Sequence, residues 1–127
     1  MSVVRFGNDK LMVALNGDAM EFTTDPHPMG GNDYVEAIWN ITNFNKSGAG
    51  TLTATLTVEG SNDGTTWFDT TLTDSQTSLP SVPIQEGGFV RAAFIRFKYK
   101  LELAGGSIGD IGYIAFDVHA NLLKSGS

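Results

Sequence analysis

From Lys10 onward the chain alternates apolar and polar positions with a period of two, and no stretch carries the spacing of an amphipathic helix. Such alternation puts successive side chains on opposite faces of a pleated strand, so one face can be buried while the other meets water. Residues 51–60 are the clearest case: Leu52, Ala54, Leu56 and Val58 share one face, and Thr51, Thr53, Thr55, Thr57 and Glu59 share the other. Threonine suits the wet face because its β-branch fits the pleat and its hydroxyl bonds to water. Residues 34–44 repeat the pattern with Val35, Ala37, Trp39 and Ile41, and residues 111–123 with Ile114, Phe116, Val118, Ala120 and Leu122. There Tyr113, Asp117, His119 and Asn121 point outward. Residues 89–103 read as one long strand, with Ala93, Ile95, Phe97, Tyr99, Leu101 and Leu103 inward.

Turn chemistry separates these runs. Asn16-Gly17 stands between two apolar stretches and predicts a two-residue hairpin, because a type I′ turn needs positive φ at both positions. Residues 23–33, TTDPHPMGGND, and residues 74–88, with Pro80 and Pro83, read as loops. In EGSNDGTTWFDT, residues 59–70, Asn62-Asp63-Gly64 predicts a type I turn closed by a left-handed glycine, which leads residues 65–72 back antiparallel. Trp67 is then expected to fold over that turn or to cap one end of the molecule. Trp67 and Phe68 are adjacent, so on a strand they face opposite ways and one of them is expected at a contact surface.

Roughly seven to nine short strands with turn signals between them predict an all-β fold, a single antiparallel β-sandwich over residues 1–127. Strand count alone leaves a jelly roll and an immunoglobulin-like sandwich equally open. Residues 1–33 are expected to include a partly extended contact segment.

Composition narrows the function. The 127 residues contain no cysteine, which removes disulfides, thiolate metal sites and cysteine catalysis. The formal charge of −6 lacks the Lys and Arg surplus that phosphate-backbone binding draws on, so no nucleic-acid partner is expected. No apolar run reaches the ~20 residues of a membrane helix, so no membrane partner is expected either. His27 and His119 stand far apart with no carboxylate at metal-ligand spacing, and no Gly-x-Ser-x-Gly turn marks a nucleophile. The loop aspartates Asp25, Asp33, Asp63, Asp69 and Asp110 fall in no EF-hand spacing and read as turn-formers. The expectation is a non-enzyme without metal or cofactor.

Two resemblances bear on the role. The stretch Ser61-Asn62-Asp63-Gly64 through Trp67, with the later Phe89-Val90-Arg91, resembles the hairpin of discoidin-like domains over about a third of the chain. Over roughly residues 50–123, the run VEGSNDGTTW, the Phe-Val-Arg segment and the closing Val118-His119-Ala120 resemble small structural proteins of tailed bacteriophages. That resemblance implies a β-sandwich subunit of a virion, acting as capsid cement, decoration, head fibre or tail component. It implies partners among the virion proteins, the major capsid protein first, a homo-oligomer (trimer or dimer), and a location in the virion after assembly in the host cytoplasm. The competing reading is a carbohydrate-binding module that uses Trp67, Phe68, Tyr34 or Tyr113 as a stacking platform.

The candidate contact residues follow. The hairpin offers Asn62, Asp63, Trp67 and Phe68, and the proline-flanked loop offers His27 and Met29. Arg96, Lys98 and Lys100 stand at alternate positions, hence on one strand face, and form a basic ladder suited to an acidic surface. The alternative is that the neighbouring strand neutralises the ladder. If the last two strands form a hairpin, Lys98 is expected opposite Asp117 and Arg96 opposite His119.

Overall fold

The computed structural model of the chain describes residues 2–125, with side chains from residue 10 onward. Among the described residues nine strands follow in order: β1 Ser2–Leu15, β2 Ala19–Thr23, β3 His27–Pro28, β4 Tyr34–Lys46, β5 Thr51–Ser61, β6 Phe68–Gln76, β7 Ile84–Phe89, β8 Phe94–Ala104 and β9 Ile111–Leu123. The first sheet runs β1-β9-β4-β7, the second β2-β8-β5-β6, and β3 also pairs with β8. All the pairings between strands are antiparallel, and the described residues contain no helix.

β2 lies along Lys98–Glu102 of β8, and β3 continues along Phe94 and Ile95. They act as one strand interrupted at residues 24–26. Counted so, eight strands fill two four-stranded sheets, with first beside eighth, third and sixth, and second beside seventh, fourth and fifth. This is the double Greek key of the jelly roll. It resolves the two sandwiches that strand count had left open.

The inward rows meet as their alternation requires. Leu52, Ala54, Leu56 and Val58 of β5 and Ile95, Phe97, Tyr99, Leu101 and Leu103 of β8 face Val35, Ala37, Trp39, Ile114, Phe116, Val118 and Ala120 of the other sheet, all buried. Aromatic rings fill the ~10 Å between sheets. Phe116 meets Trp39 edge-on at 5.9 Å and Tyr99 at 4.9 Å between centroids. Burial of each such side chain contributes ~1.5–3 kcal/mol. Gly112 of β9 lets the sheets approach: a Cβ there would stand 2.4 Å from Leu52 Cδ1.

Several sequence expectations are corrected. Asn16-Gly17 does not close a hairpin, because β1 and β2 belong to different sheets. It forms the corner between them, where the Gly17 N–H donates to Leu103 C=O and Asn16 Oδ1 accepts from the Gly106 N–H. The expected loop over residues 74–88 holds the end of β6 and the start of β7. The single strand over 89–103 is two strands broken at residues 90–93, and Ala93 is exposed rather than inward. β8 and β9 are not a hairpin either, since each lies in its own sheet. Lys98 therefore never meets Asp117, nor Arg96 His119. Residues 1–33, the expected N-terminal contact segment, hold β1 through β3, and residue 1 and the side chains of residues 2–9 fall outside the described residues.

Candidate contact surface

The outer face of the second sheet gathers the sequence-predicted candidates around a residue that was not among them. Glu59 on β5 stands directly opposite Arg96 on β8 and opposite Asp69 on β6, so one row crosses three strands. Its side chain is only 9% exposed and receives the Arg96 Nε–H at 2.9 Å. Lys98, one step along β8, reaches diagonally to Asp69 at 3.1 Å and Glu59 at 3.7 Å. Burial alone would lower the Lys98 pKa, but the hydrogen bond to Asp69 and the charges of Glu59 and Asp69 outweigh it and hold it above the usual lysine value. Two carboxylates therefore share two cations. The basic ladder is neutralised by strands of its own sheet, leaving Lys100, exposed and opposite Glu21 of β2, as its open end.

The hairpin joins this row. Ser61 is fully buried, and its Oγ accepts from the Gly64 N–H at 2.9 Å and the Asp63 N–H at 3.3 Å while donating to Asp63 Oδ1. The same Asp63 oxygen accepts from the N–H groups of Thr66 and Thr65 at 2.8 and 2.9 Å. These bonds hold the Asp63 carboxyl far below the usual carboxylate range, the Thr66 N–H contributing most. Gly64 takes φ +81, as the turn chemistry requires. Asp63 is thus committed to the turn, while Asn62 projects from its tip.

The turn sends Trp67 and Phe68 to opposite sides. Trp67 does not cap the sandwich: its half-buried ring lies over Arg96, with 4.2 Å from Cζ to the ring centre. Phe68 stays 45% exposed while its ring edge presses on the site of Gly60 and on Ala92. Trp67, Arg96, Lys98, Asn62 and Asp63 share one end of this face; Lys100 lies further along β8.

His27 lies on the other flank of β8, half-buried opposite Ile95. Met29 is corrected as a contact residue. It is 1% exposed, since the turn through Gly30 and Gly31 folds it into the core with its N–H bonded to Ala93 C=O. Among the described residues no group of His, Asp and Glu is arranged to hold a metal ion.

Sequence reading missed a second surface. On the outer face of the first sheet, Leu11, Val13 and Leu15 of β1 are 63%, 46% and 53% exposed, and lie beside Ala115, Tyr113 and Ile111 of β9. The signal was present: residues 11–15, LMVAL, are apolar in both phases of the alternation, which a strand with one wet face does not need.

No protein-family profile matches the chain, and no curated protein does. Solved structures do match. They include infectious bursal disease virus Gt strain (TM-score 0.59, 9% identity) and the VP2 subviral particle of the same virus (0.59, 10%). The Gx strain follows at 0.56 and 11%. Each alignment covers 99% of this chain but only 32%, 32% and 33% of the neighbour, so the chain spans about a third of the length of the chains it matches. The likeness is one of fold.

Proposed function

We propose that this chain is a structural subunit of a viral particle, and more narrowly a cement or decoration subunit on a tailed-phage shell. The observation that carries the reading is the jelly-roll fold of this chain, which aligns over 99% of its length with the infectious bursal disease virus structures. The phage-like run through residues 50–123 narrows the particle type. The major capsid protein is the proposed partner, and the attachment is non-enzymatic.

The contact is assigned to the second sheet, with Asn62 at the tip of the hairpin, Phe68 at its edge and Trp67 over Arg96, and with the exposed Lys100 further along β8. A rigid turn and a paired charge row lose little freedom on docking, which lowers the ordering cost of binding. Repetition over a symmetric shell then turns modest single contacts into firm attachment. A sugar-binding role for these aromatics has less support, because Trp67 has one face on Arg96 and Tyr34 packs against Phe89.

The test is reconstitution. Shells stripped of this chain by mild chaotrope are mixed with purified protein and pelleted. Co-pelleting that saturates at a fixed ratio to the shell protein supports the role, and protein left in the supernatant refutes it.

A further inference from the structure

Each sheet of the sandwich ends in two edge strands, and an edge exposes unpaired N–H and C=O groups that invite another strand. Three of the four edges are blunted. β2 and β3 are broken by Asp25, Pro26 and Pro28; β6 carries Asp69 and Asp74 beside a register irregularity; β7 is short and holds Glu86 between its ends. The first half of β1 is interrupted by register shifts between Arg5 and Lys10. Its second half, Leu11–Leu15 in sequence LMVAL, has no charge, proline or bulge.

The direction of its free groups follows from the ladder. The Asn16 N–H donates to Asp110 C=O on the β9 side. In an antiparallel pair the bonding direction alternates by residue, so Ala14 and Met12 also bond toward β9 while Leu11, Val13 and Leu15 point away. The Gly17 N–H bonds away from β9, to Leu103 C=O, in agreement. Leu15 C=O is taken by the Asp18 N–H, which leaves Leu11 and Val13 with both backbone groups on the open edge.

We infer that this edge is the seat of a second copy of the same chain, paired antiparallel about a two-fold axis at Met12. Leu11 of each copy would lie opposite Val13 of the other, each pair exchanging both backbone bonds. A two-fold axis requires a self-complementary surface, and free residues at i and i+2 satisfy that condition. In this register Lys10 falls opposite Ala14, so no like charges meet across the seam. The outward Leu11 and Val13 rows would join into one apolar stripe, flanked on both sides by Tyr113 and Ile111. The pairing would also cover the open side of the sandwich. Opposite, between β6 and β7, Leu72 fills the space at Gly88, but between β1 and β2 a groove of about 300 Å³ lies open, lined by Met12, Met20 and Phe22 together with Lys10 and Glu21, the Lys10 ammonium standing 3.9 Å over the Phe22 ring. The inference stands independently of the virion role.

The experiment is sedimentation equilibrium of the purified full chain from micromolar to millimolar concentration, on the wild type, Val13→Pro and Val13→Lys. Proline removes one free-edge N–H without touching the β9 ladder, and lysine places a charge on the seam. The expected result is a wild-type mass rising to twice 13.6 kDa, with both variants folded by circular dichroism and monomeric throughout. A wild type that stays monomeric, or an oligomer that both folded variants retain, overturns the inference. If Val13→Pro fails to fold, Val13→Lys alone decides.

Discussion

The Arg96 guanidinium carbon sits 4.2 Å from the centre of the Trp67 ring, and the same side chain donates to Glu59 at 2.9 Å. The tryptophan thus holds the charge row in place, while the row gives the hairpin a fixed surface to rest on. A double-mutant cycle with Trp67→Leu and Arg96→Gln is expected to give a coupling of ~0.5–1 kcal/mol in urea unfolding. A coupling near zero would mean that the two side chains are neighbours without energetic consequence.

Glu59 carries more than either. Replacing it by Gln leaves Arg96 and Lys98 facing each other over a largely buried neutral amide. The expected cost is about 1–3 kcal/mol, read as a fall in the urea midpoint. Asp69→Asn, at an exposed carboxylate, should cost far less.

The hairpin should keep its structure in mild acid. Asp63 has a lower pKa folded than unfolded, so its contribution is complete above the unfolded value of ~3.9 and is lost as pH falls toward the folded value. The difference in Tm between wild type and Asp63→Ala should therefore be constant from neutral pH down to that point and shrink below it. A difference that vanishes already at weakly acidic pH would contradict the bonding described for the Asp63 oxygen.

Gly112 is a packing glycine. Gly112→Ala would push a methyl group into Leu52 from the facing sheet, at an expected cost of ~1–3 kcal/mol. The paired change with Leu52→Val should recover part of it. No recovery would show that the sheets already have room to separate.

Lys100 tests the proposed contact without disturbing the fold. Lys100→Gln, which removes the charge without setting a second carboxylate opposite Glu21, should leave stability within ~0.5 kcal/mol, as at most surface sites, yet weaken attachment to stripped shells in the pelleting assay. Unchanged attachment would move the contact away from this face.

What the sequence made legible was which side of each strand is dry. The rows Leu52–Val58 and Ile114–Leu122 are buried as their alternation requires, because burial is a local property with period two. Sheet membership was not legible. Asn16-Gly17 has the same local chemistry at a hairpin and at a corner, and distant partners, the carbonyl of Leu103 and the N–H of Gly106 among them, hold it as a corner. β7 was hidden for a related reason. Its Gly87 and Gly88 read as a loop, but they are small because Tyr34 and Leu72 occupy the space where side chains would stand. At the contact surface the cations could be read from the sequence, whereas Glu59 could not, since its pairing partners lie 10 and 37 positions away.

The most direct test of the virion role is sedimentation of the native source lysate on a density gradient, with each fraction probed for this chain. The expected result is co-migration with DNA-filled particles, lost on mild chaotrope treatment while the shells survive. A signal confined to the slow soluble fractions would contradict it.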